Sequence, residues 1–200
     1  MAETAQQHKK LIEELARDAF KDHVLTTEDH SWVCRKPESS FYWFRVTGLP
    51  GGVLLTGDVG VSYLEVSAAN SIAWLVDAIN SQDYILSKVR ATDAQVVRSS
   101  DPKKEFFAGD AIRYLDERLK AYADEDAQSS PRARAFAHMK SEVDKLLHAQ
   151  GDLDWSDWVS LWRAVGVCTD DYAECTSWTS TMLWHYHALK TFVRLFKATL

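Results

Sequence analysis

The chain has 200 residues, 46% of them apolar and 26% charged, with a net charge of −6. Such a length and mix buries a full hydrophobic core without disulfide or metal staples, which sets aside a disordered chain and a stapled miniprotein. The negative balance disfavours a general binder of nucleic acid or of anionic membranes.

The first segment, MAETAQQHKKLIEELARDAF, is charged and amphipathic. Ile12, Leu15, Ala16 and Ala19 recur at helical spacing, so residues 3–22 are expected to form a helix with that face inward. The segment has no apolar signal core, and no run approaches the roughly 20 apolar residues of a membrane span. Cys34, Cys168 and Cys175 are too few and too scattered for a disulfide framework. Together these features point to the cytoplasm and to no membrane partner.

After the polar TTEDH and the short Ser31–Lys36 stretch, Pro37 interrupts the chain. Phe41–Thr47 is aromatic and β-branched and reads as a strand. Gly48-Leu-Pro-Gly-Gly52 sets Pro50 before Gly51, the preference of a type II turn. Val53–Thr56 is a second strand, and Gly57-Asp-Val-Gly60 is a tight reversal. Val61–Val66 is a third strand, with Ser62, Leu64 and Val66 on one face. A phosphate loop needs GxxxxGK[ST] or GxGxxG leading from a strand into a helix, and neither pattern occurs. These glycines are expected to turn an antiparallel meander.

The stretch Ser67-Ala-Ala-Asn70 caps a helix carrying Ile72, Leu75, Val76 and Ile79 on one face. A second helical piece is expected over Asp83–Arg90, a short extra strand around Ala94–Val97, and a loop at Ser99–Pro102. Residues 104–123 read as a helix with Phe107, Ile112, Leu115 and Leu119 inward. The polar segment 123–131 is the best linker, and Pro131 suits the first turn of a helix over 131–149 that Gly151 ends. Trp155, Trp158 and Trp162 make a helical stripe, which is more often core than contact surface. The last helix spans about 179–198, with Met182, Tyr186, Leu189, Val193 and Phe196 as its buried seam. The expected class is α+β: a three- to four-stranded antiparallel meander packed with a helix-rich C-terminal half. The expectation is a single domain, 1–200, with lobes at 1–100 and 101–200.

Charge is uneven along the chain. The window from Asp144 to Glu174 holds seven acids against Lys145 and Arg163. Within it, Asp152, Asp154, Asp157, Asp170 and Asp171 are the candidate partner-binding residues; the bland reading is solvated helix starts, where Asp is favoured. The last eleven residues hold Lys190, Arg194 and Lys197 and no acidic side chain.

Motifs that would carry chemistry are missing. Cys168, Cys175, His185 and His187 lack zinc spacing, because ligands two apart on a helix point about 200° away from each other. On that geometry His187 falls beside Lys190 and Arg194 on an outer face, and His185 is half-buried near Leu189. Asp152, Asp154 and Asp157 are off register for an EF-hand. There is no GxSxG elbow, and sequence proximity of Cys34 and His30 does not make a catalytic pair. No catalytic residue, metal ligand or cofactor is assigned.

The string PESSFYWFRVTGLPGGVLLTGDVG resembles a signature of uncharacterised proteins of bacteriophages and prophages. In those proteins an aromatic strand, a PG turn, an apolar strand and a GDxG turn follow in order. The segment Leu183–Leu189 is similar to their closing aromatic-rich helix. The resemblance implies an accessory protein of the host bacterial cytosol that binds and modulates a host protein, for instance an inhibitor of antiviral defence such as an anti-CRISPR. An acidic surface would then meet host Lys and Arg that normally hold phosphates, without direct nucleic-acid binding. Two other classes stand beside it: an enzyme (nuclease or hydrolase) with a site assembled from distant Asp and His residues, and a self-associating structural protein whose tryptophans feed an oligomer interface. The sequence leaves the oligomeric state open.

Overall fold

A computed structural model describes residues 4–92, 104–121, 130–151, 153–165 and 175–200. By contacts the chain divides into two compact units. One comprises Lys9–Gln95 with Thr179–Leu200, and the other Met1–His8 with Val96–Trp178. The C-terminal helix thus folds with the N-terminal sheet.

The first unit is built on a sheet of six antiparallel strands: β1 (Val24–Glu28), β2 (Ser31–Arg35), β3 (Phe44–Leu49), β4 (Gly52–Gly57), β5 (Ser62–Glu65) and β6 (Val89–Thr92), in that spatial order. The count corrects the three to four strands expected from sequence. β1 and β2 were not visible because β1 is short and mostly exposed, carrying no apolar alternation. β6 is hidden in sequence inside an apparent helix over Asp83–Arg90; the helix there, α3 (Gln82–Ser87), stops at Ser87, and pairing with β5 draws the residues from Val89 into the sheet. The first strand expected from sequence starts late, at Phe44, leaving Phe41 and Tyr42 outside it. The expected strand around Ala94–Val97 and the loop at Ser99–Pro102 lie outside the described residues.

Local chemistry accounts for the turns. Leu49 pairs with Gly52, so Pro50 and Gly51 are the two corner residues. Gly51 has φ +79, the value a type II turn demands at its third position. Both glycine turns pass from strand to strand, as expected. Alternation then sorts the side chains. Phe44, Val46, Val53, Leu55, Ser62 and Leu64 share one buried face across β3–β5.

That face is covered by α7 (Ser180–Lys197), which packs against β1, β3 and α3. Thr179 starts α7 by accepting a hydrogen bond from Met182 N at 3.3 Å. Nine of its residues are buried, among them Met182, Leu183, Leu189 and Phe192, so it behaves as a core helix. Trp32 lies against Phe192 and Phe196, and Trp184 against Phe20. Of these, Phe20 and Phe192 are buried, and full burial of such a side chain contributes about 1.5–3 kcal/mol. Asn70 caps α2 (Ser71–Ala78), and α3 (Gln82–Ser87) follows before β6. α1 (Ala5–Phe20) buries Ile12, Ala16 and Phe20, at i, i+4 and i+8; Leu15, expected inward, is 51% exposed.

The second unit is mostly helical: α4 (Ala108–Ala121), α5 (Pro131–Gln150) and α6 (Trp155–Val165), with a two-stranded ribbon of β7 (Lys104–Phe106) and β8 (Thr176–Trp178). Ser130 caps α5 with Pro131 at its first position, and Gly151 closes it in the left-handed region. Its core gathers Phe106, Tyr114, Leu115, Phe136, Met139, Trp158 and Trp162. Two members of the tryptophan stripe are therefore core, as the stripe argument favours. Asp110 is buried there and accepts hydrogen bonds from Ala5 N and Arg113 Nη2, both at 2.9 Å.

Candidate functional site

The first unit carries a groove of about 590 Å³ between α1 and α7. Its floor is apolar because α1 and α7 turn their buried residues toward each other. Ala16 and Phe20 come from α1, Val193 from α7, and Ile79 closes the end at the C-terminus of α2. Tyr186 holds that corner by donating its hydroxyl to Ile79 O at 2.8 Å, and burial pushes the phenol pKa up.

The rims are basic. Arg17 and Lys21 stand along one side, and Lys190, Arg194 and Lys197 along the other. Among the described residues, the only acid lining the groove is Glu13. None of the five cations forms a salt bridge or hydrogen bond with a carboxylate among the described residues. In a chain of net charge −6 this is a local reversal of sign. Residues four apart on a helix share one face at about 6 Å intervals, so each rim is a row of charges.

His187 also lines this groove and is 8% exposed. The expectation that it lies on the outer face is corrected: it does lie near Lys190 and Arg194, but α1 lies over this side of α7. Its Nε2 is buried without a hydrogen-bond partner. Burial depresses its pKa below 6.5; Glu13 works against that shift, while Lys190 and Lys9 reinforce it. The imidazole is neutral near pH 7 and acquires charge only in acid.

His185, two residues back, serves the sheet instead. Its Nδ1 is 2.6 Å from Ser62 Oγ, which also donates to Thr92 Oγ1 at 3.2 Å. The spacing is that of a Ser–His pair, yet Ser62 is 0% and His185 1% exposed. Neither meets a substrate in this conformation, so the contact fastens α7 to β5. Cys34 is equally sealed, its thiol pushed up to about 12 by burial against a weaker opposing effect of Arg194. His23 donates from Nε2 to Tyr42 O at 2.9 Å. Its Nδ1 is buried without a partner, and burial lowers its pKa. Among the described residues, no three of His, Cys, Asp and Glu converge as metal ligands would.

Asp154 Oδ1 accepts from Asp157 N at 2.9 Å and from Ser156 Oγ at 2.8 Å, the geometry of a helix cap at the start of α6. Asp157 sits in the first turn of α6, half-buried. Asp152, Asp170 and Asp171 lie outside the described residues. Of the five, the described residues thus place Asp154 and Asp157 together at one helix start, and the structure forms a basic groove that the sequence announces only through the acid-free C-terminus. The other rim, on α1, reaches α7 by folding alone.

No helix among the described residues is long and apolar enough to cross a membrane. No family model, curated protein or solved structure matches the chain.

Proposed function

We propose that this chain is a binding protein: a phage-encoded accessory protein that engages and modulates a protein of its bacterial host through the groove between α1 and α7. The class of role that the resemblance suggests is inhibition of an antiviral defence system. The observation that supports binding is the union of an apolar floor with two unpaired basic rims in an otherwise acidic molecule. Unpaired, exposed cations leave long-range attraction available to an acidic partner. The chemistry-bearing side chains nearby favour binding over turnover, since Ser62, His185 and Cys34 are sealed.

The test is affinity capture from lysate of the bacterium that carries the gene, comparing three baits. Wild type and the Asp154→Asn/Asp157→Asn variant should recover the same specific protein. The Lys190→Glu/Arg194→Glu variant should lose it. Loss with the acidic variant instead, or recovery by all three baits, removes the groove from the account.

A further inference from the structure

We infer that the groove takes an amphipathic acidic helix of its partner, apolar on one face and carrying carboxylates along both edges of that face. This rests on the binding reading above and names the chemistry of the occupant.

Three observations select it. The first is the distribution of charge. A single-headed anion, whether a lipid headgroup or a free phosphate, is met by cations gathered at one point. Here they are spread along both rims. Lys190 and Lys197 are seven residues apart on α7, roughly 10 Å of rise, and Arg17 and Lys21 mark the opposite side. Carboxylates at i, i+4 and i+7 of a docked helix have the same pitch as Lys190, Arg194 and Lys197.

The second is the nature of the walls. Both are helices, α1 and α7, whose backbone groups bond internally over their central turns. An extended peptide needs main-chain partners from a sheet edge and finds none on such walls, whereas a helix brings its own hydrogen bonds and lays side chains into the floor. The floor is also unsuited to nucleic acid. Its aromatic member, Phe20, is 2% exposed and offers no face for a base to stack on.

The third is His187. Buried polar atoms in native proteins are nearly always paired, yet its Nε2 is not. It belongs to the lining of the groove, among Glu13 and Lys190. A polar or carboxylate side chain entering between the rims supplies the missing partner. A purely aliphatic ligand leaves it unmet.

The experiment uses the full chain and four probes. The first is a fluorescein-labelled helical peptide about four turns long, with leucines at i, i+3, i+7 and i+10 flanked by glutamates. The second is the same peptide with glutamine for glutamate, the third dodecyl phosphate, and the fourth a short oligothymidylate. Fluorescence anisotropy should show the glutamate peptide binding at least about ten-fold tighter than its glutamine twin, the factor expected for a few rim contacts. Dodecyl phosphate and oligothymidylate should not displace it. Lys190→Glu/Arg194→Glu should weaken it about ten-fold or more, and so should Arg17→Glu/Lys21→Glu, which tests the other rim should the first variant fold poorly. Equal binding of the two peptides, displacement by either of the other probes, or indifference to both charge reversals overturns the inference. Should the glutamate peptide fail while the host protein is still captured in a manner sensitive to Lys190→Glu/Arg194→Glu, the helix inference falls and the binding reading stands. Should capture also be insensitive, both fall.

Discussion

Tyr186 donates its phenolic hydrogen to the carbonyl of Ile79 at 2.8 Å, tying α7 to the end of α2 where no water reaches. That carbonyl belongs to the last turn of a helix and lacks an intrahelical donor. The bond therefore satisfies an otherwise orphaned acceptor and sets the closed end of the groove. Tyr186→Phe keeps the ring and strands the acceptor, so it should cost about 1–3 kcal/mol in urea unfolding. An unchanged midpoint would mean that this contact does not hold the corner.

The glycine at the end of β4 makes a sharper structural prediction. Gly57 has φ +131, and a Cβ there would meet the backbone carbonyl of Trp43 and the Cα of Phe44. Gly151 has φ +76, with open space around it. Gly57→Ala should therefore destabilise the protein clearly more than Gly151→Ala, whose cost is only the left-handed penalty of about 1 kcal/mol. Equal costs by thermal or urea unfolding would show that the β3–β4 pairing yields around Gly57.

The buried imidazoles predict acid sensitivity. Burial lowers the folded pKa of both His23 and His187 from 6.5, and for His187 Glu13 on α1 opposes the shift while Lys190 and Lys9 add to it. Above the unfolded value both states are neutral and stability is whole. As pH falls through it, the unfolded chain takes up protons first, so stability declines until the folded imidazoles titrate. Within that window each histidine contributes up to about 1.4 kcal/mol per pH unit. His187→Gln should lessen the loss measured between about pH 7.5 and about pH 5.5 by urea unfolding. A variant with the wild-type slope would show that His187 titrates alike in the folded and the unfolded protein.

Much of the architecture was legible where local chemistry dictates it. Pro50-Gly51 makes its turn, the stretch ending at Asn70 caps its helix, Pro131 opens α5 and Gly151 closes it, and Trp158 and Trp162 go to a core. What stayed hidden depends on partners distant in sequence. β6 is a strand because Tyr63 lies opposite Ala91, although Ile85, Leu86 and Val89 keep helical spacing. β1 is an edge strand with little apolar content, so its pairing with β2 left no periodic trace. The groove follows the same rule. Its α7 rim was visible as a basic C-terminus, its α1 rim was ordinary helix surface, and only the packing of Ala16 and Phe20 beside Val193 makes them one site.

Electrostatics give the groove a salt signature. Exposed rim charges are screened over about 8 Å at physiological ionic strength, so partner binding should weaken as salt rises. The weakening should flatten in Lys190→Glu/Arg194→Glu, measured as the slope of log affinity against log salt. A slope identical in wild type and variant would assign the attraction to other residues.

The most direct measurement places a photo-crosslinking residue at Thr191, in the lining of the groove, and separately at Asp157 on α6. Each full-length chain is irradiated in the host bacterium. One specific protein should be joined through position 191 and not through position 157. A partner joined through 157 alone, or none through 191, would contradict it.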